Sequence, residues 1–194
     1  ELSHQKQQTL PAKYWDKAGY VIWCGSFSKT LAAGLRLGWC VPGRYLTPYL
    51  NQHALTSFGV NALIQSCMAE FINTGEYRSH VNKIRVVLNQ QIHSYQQFLI
   101  KYLPTNAKIS VPQGGIVLWV QIPNLNGVQL EIEANKQGID IRSGACFSTH
   151  DFYHDCFRIN CGWPLQNTGD KHSTYQQLIN LCDIITNTMN TIRG

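Results

Sequence analysis

The spacing of apolar residues predicts one long helix near the middle of the chain. Between Glu76 and Tyr102, apolar side chains recur three or four positions apart, at Val81, Ile84, Leu88, Ile92, Tyr95, Leu99 and Tyr102. This spacing places them on one face of an α-helix, and Pro104 ends the pattern. A helix of about 25 residues spans ~40 Å and often links two domains.

Two apolar runs before this helix predict strands. Residues 20–24, YVIWC, are an apolar run rich in β-branched and aromatic residues and bounded by glycines, which is typical of a strand buried on both faces. Residues 35–41 are a second run of this kind. The stretch 44–73 then has a helical pattern that is interrupted by Pro48 and by a break at 56–59, TSFG. We therefore expect two helices there, joined by a loop.

The part of the chain after the long helix alternates between strand and helix patterns. Strands are expected at 108–111, 116–122, 139–142 and Cys156–Asn160, and helices at 128–136 and 171–192. The order of elements is mixed α/β without an internal repeat.

The composition is that of an ordinary globular protein. The chain has 194 residues, of which 44% are hydrophobic and 14% charged, enough for one domain or two small ones. The net charge of +5 is spread along the chain without a basic run, so it identifies no partner. The seven cysteines form no C-x-x-C pair and lie mostly in apolar segments, which favours reduced, buried thiols in a cytosolic protein over a disulfide framework. No apolar stretch approaches the ~20 residues of a membrane span.

Candidate chemistry is concentrated around Lys29. This lysine follows Ser26, Phe27 and Ser28 directly, at the end of the first predicted strand. At the mouth of a buried strand an amine loses water, which favours the neutral form that makes a Schiff base. If the segment is extended, the two serine hydroxyls share a face, and Arg36 adds a guanidinium from the next predicted strand. An imine-forming lysine beside a phosphate cradle is what pyridoxal phosphate requires, whereas a solvated serine-rich loop is the alternative.

The stretch 26–39, SFSKTLAAGLRLGW, resembles the lysine motif of fold-type I pyridoxal-phosphate enzymes of the class I/II aminotransferase group. That motif usually reads S-F-S-K-T-L-x-P-G-L-R-L-G-[YW], so Ala33 stands where proline is common. The resemblance implies that pyridoxal 5'-phosphate is the cofactor and that Lys29 is the catalytic, internal-aldimine lysine. It also implies that Ser26, Ser28 and Arg36 bind the cofactor's phosphate.

The resemblance covers the whole chain. Residues 75–85 are similar to the G-x-Y-x-x-H opening of the long helix in this group, and residues 112–120 resemble the P-x-G-G segment that begins its small domain. The implied fold class is α/β, the C-terminal part of a fold-type I aminotransferase-like fold. Residues 1–75 would be the end of the large cofactor-binding domain, and 76–194 the long helix and a small α+β domain. A homodimer is also expected.

Arg158 is the candidate ligand-binding residue in the second half of the chain. In the run Cys156–Asn160, strict alternation places Arg158 on one strand face and Phe157 and Ile159 on the other. An arginine there often pairs with a neighbouring carboxylate. In the group that this chain resembles, the matching arginine clamps the α-carboxylate of the amino acid in a bidentate fork, and we favour that role.

The residues around Arg158 favour a regulator over an enzyme. The tail at 160–164, NCGWP, resembles the ending of a branch of the MocR subfamily of bacterial GntR-type transcription regulators, and the segment GACFS at 144–148 resembles the P-G-x-x-F-S that precedes it. In that subfamily a winged-helix DNA-binding domain precedes an aminotransferase-like domain that senses an amino acid or amine effector. An aminotransferase acting on an amino acid is the alternative. A fold kept only for dimerisation is a third, against which the intact site residues argue.

The start of the chain predicts that part of the site lies upstream. Glu1-Leu2 resembles the end of the D-D-x-Y-x-E-L segment that precedes the lysine in relatives. We therefore expect the aspartate and tyrosine that contact the cofactor ring, and the DNA-binding domain, to precede Glu1. The chain alone is then expected to bind the cofactor poorly.

A histidine pair, His150 and His154, lies between Cys146 and Cys156. These are zinc-ligand residue types, but the segment has neither a helical frame nor a matching second pair. We expect no metal site there.

Overall fold

The computed structural model describes residues 2–4, 10–57, 59–150, 152–170 and 172–191. Sequence expectations that fall on Glu1, Phe58, Asp151, Lys171 and Ile192 lie outside these residues. The chain divides into two units, Glu1–Val86 and Val87–Gly194, and each has its own hydrophobic core.

The first unit contains a two-stranded sheet and two helices, followed by the start of the long helix. Its elements are β1 (Trp23–Ser26), β2 (Gly38–Val41), α1 (Leu46–Thr56), α2 (Ala62–Asn73) and the beginning of α3 (Glu76–Tyr102). The prediction of two helices between 44 and 73 is confirmed. The long helix has the predicted bounds, because its apolar positions keep one face buried up to Leu99.

The strand expected at 20–24 is placed differently in the structure. β1 begins only at Trp23, and Tyr20 and Ile22 are 61% and 51% exposed, so the prediction of a strand buried on both faces is wrong for the described residues. The Asp16 carboxylate accepts the backbone N–H groups of Tyr20 at 2.9 Å and Val21 at 2.8 Å. These groups are therefore not available to a ladder, and the strand starts later.

Asp16 is itself held in its charged form by this arrangement. The backbone N–H of Val21, together with the Lys13 ammonium 3.0 Å away and the N–H of Tyr20, lowers the pKa of Asp16 to about 2. A carboxylate that accepts several N–H bonds is stabilised as the anion. The loop before β1 is thus fixed by one side chain rather than by sheet pairing.

β1 and β2 pair in antiparallel register, from Trp23 opposite Val41 to Ser26 opposite Gly38. The second strand is shorter than the predicted run 35–41, because residues 33–35 form a 3-10 turn. The core beneath the hairpin consists of Phe27, Leu37 and Met68, with Leu31, Leu35, Trp39, Ile64, Phe71 and Tyr77 packed around it.

The second unit is a four-stranded antiparallel sheet with helices packed against it. Its further elements are β3 (Lys108–Ile109), β4 (Val117–Gln121), α4 (Gly127–Lys136), β5 (Arg142–Ser143), β6 (Cys156–Asn160) and α5 (Thr174–Thr191), with the sheet order β3-β4-β6-β5. Its core joins sheet residues such as Phe157 to Leu99 of α3, Leu130 of α4 and Leu181 of α5. The predicted strands and helices after Tyr102 are therefore present, with bounds shifted by a few residues.

Among the residues that the structure describes, no helix combines the length and the apolar character needed to cross a membrane.

Candidate functional site

Lys29 lies in a tight turn that directly follows β1. Ser26 is the last residue of that strand, and the turn is closed by the Leu31 N–H donating to the Phe27 carbonyl at 2.8 Å. The Phe27 N–H donates to the Leu37 carbonyl at 3.1 Å, so Ser28, Lys29 and Arg36 all lie in the loop that this bond closes. The structure thus brings the four predicted cofactor residues to one end of the β1–β2 hairpin.

Two details of this loop differ from the sequence prediction. Ser28 lies in the turn, so it does not share the face of an extended segment with Ser26. Arg36 precedes β2 rather than belonging to it, because its backbone is left-handed, with φ 49° and ψ 32°. A left-handed conformation costs a non-glycine residue about 1 kcal/mol. Such strain is concentrated at ligand-binding sites, where the surrounding structure holds it in place.

The turn is fixed to the start of α3 through Thr30. The Tyr77 hydroxyl donates to the Thr30 hydroxyl at 2.9 Å, and His80 Nε2 lies 2.8 Å from the Thr30 carbonyl oxygen. Because a carbonyl only accepts, His80 carries its hydrogen on Nε2. Thr30 is only 3% exposed, so these bonds satisfy a buried residue directly beside Lys29.

Sequence reasoning missed this function of Tyr77 and His80. The available signal was their spacing of three at the start of a helix, which places both side chains on one helix face. Gly38, which lies opposite Ser26 in the hairpin, also contributes to the site. A Cβ on Gly38 would lie only 2.6 Å from the Gly25 carbonyl oxygen, so any other residue would push the two strands apart next to Ser26.

Lys29 is exposed in the structure, contrary to the desolvation that the sequence predicted. Its neighbours Phe27 and Thr30 fill the interior of the unit, and the turn directs Lys29 away from it. Ser26 and Arg36 are exposed as well, and Ser28 is partly exposed. The amine, the two hydroxyls and the guanidinium are therefore accessible to a ligand at this end of the hairpin.

Arg158 belongs to the second unit, at the centre of β6. It lies opposite Trp119 of β4 and opposite Arg142 of β5. Phe157 and Ile159 face the core and are buried, as the alternation predicts. Cys156 is buried too, although it lies on the same strand face as Arg158, because the backbones at Gly127 and Gly144 pack against it.

The guanidinium of Arg158 lies against an aromatic group. Its central carbon is 5.1 Å from the centroid of the Phe147 ring, which in turn meets Trp119 edge to face at 5.4 Å. Tyr153 also contacts Trp119 edge to face, with the two ring centroids 5.5 Å apart. A cation over a ring face is attracted by the ring's electrons, which orients the guanidinium.

The nearby carboxylates bind Arg142 instead of Arg158. Arg142 Nη1 lies 3.4 Å from Glu131 and also contacts Asp140. Partial burial opposes ionisation of Glu131, but the Ser143 N–H and the Arg142 guanidinium outweigh it and lower the pKa of that carboxyl. Within the described part of the chain, no Asp or Glu forms a salt bridge with Arg158. The assignment of Arg158 as the residue that binds a ligand's carboxylate stays a prediction.

The segment with the histidine pair uses its side chains in other ways. Cys156 donates to Asp155 at 3.3 Å, and burial raises the pKa of its thiol to about 11. In the described ranges, no three His, Cys, Asp or Glu side chains are grouped to hold a metal ion.

The lysine-bearing hairpin, the long helix and the antiparallel sheet define an aminotransferase-like α/β protein of fold type I. LysN, the α-aminoadipate aminotransferase of Thermus thermophilus, matches with a TM-score of 0.83 at 20% identity, over 98% of this chain and 49% of that one. Residues 5–168 match the family model described as aminotransferase class I and II. The chain belongs to this family.

Curated relatives include both regulators and enzymes. The uncharacterised HTH-type transcriptional regulator YjiR of Escherichia coli K12 is 35% identical over 170 residues, which is 87% of this chain and 36% of the relative. Aromatic-amino-acid aminotransferase 1 of Thermococcus litoralis is 26% identical over 162 residues, covering 82% of this chain and 39% of that protein. The chain thus spans between a third and two fifths of the length of these relatives.

Proposed function

We propose that this chain is the aminotransferase-like effector domain of a DNA-binding transcription regulator of the GntR type, in its MocR subfamily. The observation that carries the proposal is the greater similarity to an HTH-type regulator than to an aminotransferase over nearly the same share of the chain. The tail at 160–164 supports it from the sequence. DNA would be bound by an N-terminal winged-helix domain outside this chain, and the protein would act in the bacterial cytoplasm.

Pyridoxal 5'-phosphate is the cofactor of this proposal, and the residues of the hairpin loop fit it. Lys29 supplies the amine for the aldehyde, and Ser26, Ser28 and Arg36 supply the hydroxyls and the guanidinium for the phosphate. All four lie in or beside one loop and are at least partly exposed. When bound, the cofactor supplies an aldehyde that exchanges between amines. The LysN structure holds a phosphopyridoxyl-leucine compound, which supports this choice.

Each residue then has a separate task in sensing an amino acid. Lys29 would hold the cofactor through its amine, and the bonds from Tyr77 and His80 to Thr30 would keep the turn that carries it in place. Arg158 binds the effector's carboxylate in a fork, with Phe147 orienting the guanidinium. In this account, residues 1–75 end the large domain and 76–194 form the long helix and the small domain.

Control of DNA binding would follow from a shift between conformations. An amino acid that binds one arrangement of the domains more tightly shifts the population toward that arrangement. If the two arrangements differ in DNA affinity, binding of the amino acid changes the affinity for DNA. We propose a homodimer as the assembly that carries the two DNA-binding domains, as expected for this fold.

The second candidate function is an aminotransferase that acts on an amino acid. The match to the T. litoralis enzyme and the retention of Lys29 and Arg158 favour it. The two functions differ in what an amino acid does to the full-length protein. A regulator changes its DNA affinity, whereas an enzyme converts the amino acid in repeated turnovers.

One experiment with the full-length protein separates these functions. Binding to its own promoter DNA is measured with and without each of the twenty amino acids in the presence of pyridoxal 5'-phosphate, and keto-acid formation is followed in the same samples. The regulator predicts DNA binding that at least one amino acid or amine alters. Rapid turnover without DNA binding would establish the enzyme instead.

Substitution of Arg36 by glycine should separate cofactor binding from stability. Glycine adopts positive φ without strain, so the variant should unfold at about the wild-type temperature. Loss of a charge-assisted hydrogen bond worth about 1.5–3 kcal/mol should weaken cofactor affinity about 10–100-fold. Titration with pyridoxal 5'-phosphate and thermal denaturation measure the two effects, with Arg44→Ala as the control. A stable variant with unchanged affinity would remove Arg36 from the phosphate site.

Substitution of Phe147 by alanine should weaken amino-acid binding about 2–5-fold, because an exposed cation–π contact contributes about 0.5–1 kcal/mol. Phe147→Trp keeps the ring face and should bind like the wild type. Calorimetry should show the loss for an amino acid but not for the corresponding amine without a carboxylate. Phe152→Ala, at an exposed aromatic residue nearby, is the control. An equal loss for both ligands would show that Phe147 does not act through Arg158.

A further inference from the structure

Two cysteines face each other across the hairpin that carries the Lys29 loop. Cys24 of β1 lies directly opposite Cys40 of β2, and their sulfur atoms are 3.4 Å apart. Both are free thiols; Cys24 is exposed and Cys40 is partly exposed. The proposed function gives neither of them a role.

The pairing geometry suits a disulfide. The Phe27 N–H bond to the Leu37 carbonyl marks a hydrogen-bonded pair, and pairs alternate along an antiparallel ladder. Cys24 and Cys40 therefore form a non-hydrogen-bonded pair, in which the Cα atoms are about 4.5 Å apart and the side chains are closest. This distance lies within the range of about 4.4–6.8 Å found in disulfides. On this geometry, rotation of the two side chains alone should bring the sulfurs to bonding distance.

We propose that Cys24 and Cys40 are a reversible oxidation site that forms a cross-strand disulfide with hydrogen peroxide. The thiolate of one cysteine attacks the peroxide, which leaves a sulfenic acid and releases one water. The second thiolate attacks that sulfur, forms the S–S bond and displaces the second water. The two thiols lose two electrons and two protons, and one peroxide is reduced to two waters. A dithiol reductant reverses the reaction.

The disulfide would join the two strands that enter and leave the Lys29 loop. The cysteines are 16 positions apart, and Ser26, Ser28, Lys29 and Arg36 all lie between them. Oxidation therefore closes a covalent ring around this loop and restricts its opening. The chain's other exposed cysteines lie elsewhere: Cys67 is on α2, and Cys146 contacts the Ser143 hydroxyl. Selectivity for the facing pair follows, because only these sulfurs meet across the ladder.

The test uses the reduced full-length protein, treated with hydrogen peroxide and then alkylated. Peptide mapping without reductant should find a peptide that links Cys24 to Cys40, with two fewer alkylated thiols per chain and full recovery after dithiothreitol. Hydrogen exchange of the amides between 27 and 37 should slow in the oxidised protein. Cys24→Ser should lose the link, whereas Cys67→Ser should form it like the wild type.

Three results would overturn the proposal. Cys24 and Cys40 could both remain alkylatable after peroxide, or could be linked to other cysteines. Alternatively, the disulfide could form without slowing hydrogen exchange of the amides between 27 and 37. That result would show that the disulfide does not restrict opening of the Lys29 loop. The wild-type peptide map decides the first two outcomes even if a serine variant fails to fold.

Discussion

Replacement of Lys29 by alanine should abolish the imine absorption band that the full-length protein gives with pyridoxal 5'-phosphate. No other residue of the hairpin loop carries an amine, so the covalent link to the cofactor has no substitute there. The fold should be unaffected, because Lys29 is exposed and surface substitutions usually change stability by less than about 0.5 kcal/mol. Absorption titration and thermal denaturation measure the two quantities.

Two further variants make this prediction specific. Lys29→Arg keeps the charge but forms no imine, so it should also lack the band. Lys83→Ala removes an exposed lysine from α3 of the same unit and should leave the band unchanged. A band that persists in Lys29→Ala would exclude Lys29 as the cofactor lysine.

Replacement of Arg158 by leucine should weaken the binding of an amino-acid ligand about 100-fold. A bidentate guanidinium–carboxylate pair has two charge-assisted hydrogen bonds, and losing about 2.7 kcal/mol corresponds to that factor. Arg158→Lys keeps the charge but loses the fork, so its affinity should be intermediate. Calorimetric titration of the cofactor-loaded protein measures these affinities.

Ligand chemistry and a second cation provide the controls for Arg158. An amine without a carboxylate should bind wild type and Arg158→Leu equally well. Lys136→Leu removes a cation that pairs with Glu133 in the same unit and should bind the amino acid normally. If Arg158→Leu retained wild-type affinity for every amino acid that the protein binds, the carboxylate role would be wrong.

Regular elements were predictable from the sequence where one pattern determined them. The bounds of α3 follow from its apolar face and Pro104, and β6 follows from strict alternation at Phe157 and Ile159. The start of β1 does not follow from the apolar run alone, because Asp16 binds the backbone just before it. That carboxylate binds N–H groups four and five residues ahead, which a hydrophobic pattern does not reveal.

The candidate site was predictable in its residue types but not in its geometry. The motif around Lys29 names the amine, the hydroxyls and Arg36, but the left-handed backbone of Arg36 depends on how the loop closes. The bonds to Thr30 come from residues 47 and 50 positions away, so only the folded chain reveals them. The contact between Phe147 and Arg158 also depends on the fold, because the two residues belong to different elements of the chain.

The most direct test of the central claim is to map where pyridoxal 5'-phosphate attaches in the full-length protein. Reduction with borohydride makes the imine permanent, and mass spectrometry of the digested protein then locates the label. We expect one label per chain, on the peptide that contains Lys29. A label on other lysines, or no label at saturating cofactor, would contradict it.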